Sequence, residues 1–109
     1  MHAGGLSIVC SALVLAACAT TPPLTVSGAP VRGDMRALSP ADIEAAVLAM
    51  RADLPQIRSQ QLTRIDVIDR NELFLSYLEA GQRFSTPHVV KRVGGHWHYT
   101  GEIVVGLSD

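Results

Sequence analysis

Val89-Val90-Lys91-Arg92-Val93-Gly94-Gly95-His96-Trp97-His98-Tyr99 decides the fold. Two glycines between stretches of β-branched and aromatic residues signal a hairpin, because both central positions of a tight two-residue turn take positive φ. Beyond the turn the pattern has a period of two. Trp97, Tyr99, Ile103, Val105 and Leu107 share one face, with Gly101 between them, and His96, His98, Thr100 and Glu102 share the other. An antiparallel sheet with one covered face has this pattern. The inward residues of the preceding strand, Thr86 to Val93, depend on the loop. A two-residue loop turns Val90 and Arg92 toward the Trp97 face, whereas a three-residue loop turns Val89 and Val93 there.

Working back from the hairpin, Leu62 to Ile68 and Glu72 to Leu78 also read as strands, separated by the turn formers Asp69, Arg70 and Asn71. Glu79-Ala80-Gly81-Gln82 makes the next turn. Before the strands, Ser39-Pro40-Ala41-Asp42 carries a helix start: an N-cap serine, proline at the first helical position and a carboxylate at the third. Ile43, Val47, Met50 and Leu54 follow at helical spacing with Ala46 beside them, and Pro55 ends the run. The expected fold is α+β, with one amphipathic helix over about Pro40 to Leu54 packed on a four-stranded antiparallel meander.

The N-terminal part has a different composition. Leu6 to Leu15 is an apolar run closed by Ala16-Ala17-Cys18. Its length suits a secretory core of about 7–15 residues better than a membrane span of roughly 20. The start, Met1-His2-Ala3-Gly4-Gly5, lacks Lys and Arg, and an ordinary secretory signal or an uncleaved anchor is the alternative. Leu15-Ala16-Ala17-Cys18 resembles the lipobox of bacterial lipoproteins. The resemblance implies a signal peptide over 1–17 and lipid on the Cys18 sulfur and amine. It also implies a protein held by its acyl chains in the cell envelope. Ala19, where an aspartate would direct retention, resembles outer-membrane sorting with the domain facing the periplasm. Residues 18–38, with Thr20-Thr21-Pro22-Pro23 and Ser27-Gly28-Ala29-Pro30, are expected to form a flexible lipid-anchored linker. A short edge strand using Leu24, Val26 and Val31 is the other reading. The folded domain is then expected over 39–109.

One helix followed by four antiparallel strands resembles the cystatin-like or NTF2-like roll. The segment Val89 to Trp97, with a basic residue, a glycine turn and a tryptophan, is similar to the late hairpin of NTF2-like domains. The cystatin inhibitor motif Gln-x-Val-x-Gly is absent. The NTF2-like resemblance implies a ligand cavity between helix and sheet, walled by Tyr77, Trp97 or Tyr99, with His88 or Arg92 as its polar group.

Nine basic and ten acidic residues give a net charge of −1, with no basic stripe, which argues against nucleic acid as a partner. Cys10 and Cys18 are the only cysteines, one in the leader and one at the lipid position, so the domain carries neither disulfide nor thiol chemistry. There is no nucleophile elbow, phosphate loop, dinucleotide fingerprint or Cys-x-x-Cys, and nothing implies a cofactor. Candidate side chains for a ligand or partner face are His88, Arg92, His96, His98 and Glu102. His96 and His98 point the same way, but Glu102 lies about 13 Å from His98 along an extended strand, too far for one metal ion unless the chain bends at Gly101. Arg64 and Asp66 alternate with Ile65 and Val67 as a polar sheet face. The functional expectation is a membrane-anchored envelope protein that binds another envelope protein without catalysis. A ligand-binding or catalytic roll is the alternative.

Overall fold

The computed structural model describes residues 23–106. The expected leader, Cys18 and Leu107 lie outside them. In chain order the elements are β1 (Thr25–Val26), β2 (Ala29–Gly33), α1 (Pro40–Asp53), a 3₁₀ turn (Pro55–Ser59), β3 (Gln61–Asp69), β4 (Glu72–Leu78), β5 (Thr86–Val93) and β6 (His96–Ile103). They build an α+β fold with one α-helix on a six-stranded mixed sheet, ordered β1-β2-β3-β4-β5-β6. Neither helix among the described residues is long and apolar enough to cross a membrane.

The meander expected from the sequence forms β3 to β6. The sheet is larger than that because residues 25–33, within the stretch expected to be linker, form β1 and β2. Ser27 and Gly28 both take positive φ in the turn joining them. β2 then lies parallel to β3, with Val31 opposite Ile65 and Gly33 opposite Val67. A parallel pair needs a crossover of a dozen or more residues, and α1 with the 3₁₀ turn supplies it. Val26, Ala29 and Val31 are buried in the same core as the helix stripe. The folded domain therefore begins well before Ser39.

The start of α1 follows its sequence. The Ser39 hydroxyl accepts the Asp42 N–H at 3.1 Å, and the Asp42 carboxylate accepts the Ser39 N–H at 3.3 Å, a reciprocal capping box. Ile43, Ala46, Val47 and Met50 are buried against the sheet. Ile57 of the 3₁₀ turn closes one end of the core. Facing them are Ile65 and Val67 of β3, Leu73, Leu75 and Tyr77 of β4, Val90 of β5 and Trp97 of β6. The layer between helix and sheet is thus filled by side chains.

The Gly94-Gly95 loop is the two-residue kind: Val93 pairs with His96, Arg92 with Trp97 and Val90 with Tyr99. Further along, the fourth meander strand departs from its expected course. The register shifts between His88 and Val90, Gly101 sits at φ +85°, and the Thr100 hydroxyl donates to the Val89 carbonyl at 2.9 Å. This bulge ends the strand at Ile103 and leaves Ile103 and Val105 exposed, instead of continuing the Trp97 face to Leu107. The outer edge of β6 is partly protected, because the Asp53 carboxylate accepts the Tyr99 N–H at 2.8 Å.

Candidate functional site

The register divides the five candidate side chains between the two faces of the sheet. His88 and Arg92 point to the helix side, with Trp97 and Tyr99. His96 and His98 point to the opposite side and are exposed, as is Glu102 beyond the bulge. No group of three metal-ligating side chains forms among the described residues.

Arg92 ties the layers together. Its guanidinium lies 5.0 Å from the Trp97 ring centroid, donates to the Arg70 carbonyl at 2.6 Å and stands 3.7 Å from the Asp42 carboxylate. The geometry is that of a strut between β5 and the helix start, combining cation–π contact with an ion pair.

His88 lies between two tyrosine rings, with centroids 6.0 Å from Tyr77 and 5.4 Å from Tyr99, both edge to face. Its Nδ1 shares a hydrogen bond with the Tyr99 hydroxyl at 3.1 Å. Burial pushes the imidazole below its usual range and the Tyr99 phenol above its own. Burial also raises the Tyr77 phenol, against the opposing charge of Arg51. A cleft of about 400 Å³ opens beside His88, bordered by Gln60, Glu79 and Thr86.

The lowered His88 pKa has a stability consequence. An unfolded histidine titrates near 6.5. Below that value the unfolded chain takes up a proton that the folded chain resists, so stability is full above pH ~6.5 and falls as pH drops through it. In urea titrations at pH 7.5 and 5.5, the midpoint of the wild type is expected to fall more than that of His88→Gln. Equal falls in both proteins would remove His88 as the cause.

The face away from the helix carries a second cleft, of about 350 Å³, and its polar lining comes from four parts of the chain. Arg32 enters from β2, Thr63 and Arg64 from β3, Ser76 from β4, and Arg83 and Ser85 from the β4–β5 connection. A bulge in β3, between the pairs Leu62–Tyr77 and Arg64–Ser76, brings the adjacent Thr63 and Arg64 to the same cleft despite the alternation of a regular strand. Thr63 Oγ1 meets Ser85 Oγ at 2.7 Å and donates to the Ser76 carbonyl at 3.2 Å, which pins the connection to the sheet. The Arg64 Nε donates to Asp66 Oδ2 at 2.9 Å, in an ion pair whose side chains are 10% and 16% exposed. Arg32 is the β2 neighbour of Asp66. Ser76 is 3% exposed, and its Oγ meets no hydrogen-bond partner among the described residues.

The polar face expected from Arg64 and Asp66 is therefore one part of a larger arrangement. Arg32 was hidden in the segment that resembled a linker. Arg83 and Ser85 lay in a turn with no periodic pattern. Only the Arg64-Ile65-Asp66-Val67 alternation pointed toward this cleft. Comparison with family models, with curated proteins and with solved structures gives no match.

Proposed function

We propose that the chain is a lipid-anchored envelope protein whose domain is a non-enzymatic binding module, presenting the sheet face opposite the helix. The observation that carries this reading is the arginine-lined cleft on that face. Three guanidinium groups border it, and no carboxylate is among its described lining residues. The filled layer on the other side of the sheet supports it, because Tyr77 and Trp97, the expected cavity walls, are core side chains. The Leu15-Ala16-Ala17-Cys18 motif supports the anchor. Two or more acyl chains hold a protein on a membrane stably, whereas one does not.

The experiment is crosslinking and affinity recovery of the tagged full-length protein from its native envelope, with Cys18→Ala as the unanchored control. A stoichiometric component that crosslinks to the outer face and is lost in the control is the expected result. A protein that stays in the membrane fraction with no associated component, lipid or small molecule would overturn the reading.

A second reading, a ligand-binding roll, is favoured by the cleft beside His88. It predicts that a ligand recovered with the protein broadens or shifts the His88 ring resonances and leaves those of His96 and His98 unchanged. A ligand that perturbs only the outer face would count against it.

A further inference from the structure

We propose that the outer-face cleft is a phosphate-binding site, taking the phosphate of a membrane lipid headgroup or of a phosphate ester dissolved at the membrane surface. The inference deepens the binding-module reading and rests on it.

The first support is the donor set. Arginine guanidinium groups match phosphate oxygens with a planar fork and stay charged at all working pH values. Arg32 and Arg83, both exposed, approach from different elements. Arg64, held by Asp66, lies between the strands that carry Arg32 and Ser76. The Thr63 and Ser85 hydroxyls beside them are already committed, Ser85 donating to Thr63 and Thr63 to the Ser76 carbonyl, so they shape the cleft wall and the arginines supply the donors. Guanidinium donors from three parts of the chain, β2, β3 and the β4–β5 connection, suit a phosphate, with its several outward oxygens, better than a planar carboxylate that one fork satisfies. Among the described residues the charge balance also favours an anion: Arg32, Arg64 and Arg83 border the cleft, Arg64 is paired with Asp66, and the lining contains no carboxylate.

The second support is the floor. A buried hydroxyl without a partner is costly, and native proteins keep few of them. Ser76 Oγ is such a group, and it belongs to a residue lining this cleft. This oxygen is closed to solvent, and a rotation about the Ser76 χ1 bond would turn it toward a phosphate oxygen in the cleft.

The third support is position. Only Ala19 to Leu24 separate Cys18 from the first residue of β1. Even fully extended, that connection reaches at most about 25 Å. β1 and β2 form the edge of the sheet next to this tether, and β2 carries Arg32 into the cleft. A protein anchored at Cys18 therefore keeps the cleft within reach of the headgroup layer. The volume of about 350 Å³ falls in the range of small-ligand sites.

The test uses the full chain in micelles of an uncharged sugar detergent, followed by amide NMR. One arm adds glycerol phosphate. The other reconstitutes the chain into vesicles of an uncharged, phosphate-free galactolipid with and without phosphatidylglycerol, followed by quenching of a fluorophore placed at the cleft rim. Saturable shifts at Thr63, Arg64, Ser76 and Ser85 in the first arm would assign a dissolved phosphate ester. Quenching that requires phosphatidylglycerol, without response to glycerol phosphate, would assign a headgroup. Arg32→Gln combined with Arg83→Gln is expected to weaken either response about tenfold or more, the equivalent of losing one charged hydrogen bond. Both side chains are exposed, so an unchanged melting temperature would separate lost binding from lost folding. Absence of a saturable response in both arms, or a double variant that binds like the wild type, overturns the proposal. Recovery of a protein partner from the envelope alongside two silent phosphate arms would sink the phosphate site and leave the binding-module reading standing.

Discussion

Gly33→Val is expected to destabilise the protein by about 3 kcal/mol or more, enough to leave much of a marginally stable domain unfolded. Two causes act together. Gly33 sits at φ +96°, a conformation that a β-branched residue adopts only under strain. A Cβ there would also strike the Val67 carbonyl oxygen, the same oxygen that accepts the Asp34 N–H at 2.9 Å. The added side chain must push β2 away from β3, and this breaks the only parallel pairing in the sheet's described part. Gly28→Ala is the informative control. Gly28 is also at positive φ, +80°, but no atom lies near its Cβ position, so it is expected to cost only about 1 kcal/mol. Urea midpoints compare the two variants. Equal, small losses would mean that β2 does not lie against β3 as described.

A chain shortened to begin at Ser39 is expected to lose cooperative unfolding altogether, whereas one that begins at Pro23 keeps it. The shorter chain removes Val26, Ala29, Val31 and Leu38, all buried, and strips β3 of its parallel neighbour. Burying a valine or leucine side chain contributes roughly 1.5–3 kcal/mol. Three such residues therefore account for a loss of about 5 kcal/mol or more, comparable to the whole stability of a small domain. The checks are a thermal melt followed by near-ultraviolet circular dichroism at Trp97 and binding of a hydrophobic dye. A sharp melt from the chain starting at Ser39 would mean that the first two strands are accessories.

These two experiments mark where the sequence was legible. The Gly94-Gly95 pair set the β5–β6 register because a two-residue turn leaves one pairing for its flanks. Ser39 and Asp42 placed the helix start for a similarly local reason. The first two strands had only the Ser27-Gly28 turn between them, and no local signal tied β2 to β3. They are short, β2 contains Pro30 and Gly33, and β2 finds its partner across a helix. A parallel neighbour leaves no turn motif between the strands it joins.

The same difference governed the candidate sites. His96 and His98 attracted notice through spacing along one strand, yet they lie on the opposite face from His88 and Arg92. The outer cleft draws on residues from Arg32 to Ser85. No short window contains it, and the bulge that turns Thr63 and Arg64 together does not follow from the alternation that made Arg64 visible.

The most direct test of the account is the mass of the N-terminal tryptic peptide of the protein taken from its native membrane. Residues 1–31 contain neither Lys nor Arg, so trypsin makes its first cut after Arg32. The account predicts a peptide from Cys18 to Arg32 carrying a diacylglyceryl group and a further acyl chain, and it predicts their loss in Cys18→Ala. A peptide running unmodified from Met1 to Arg32, or one with a free Cys18 thiol, would contradict the anchor and with it the placement of the arginine cleft at a membrane surface.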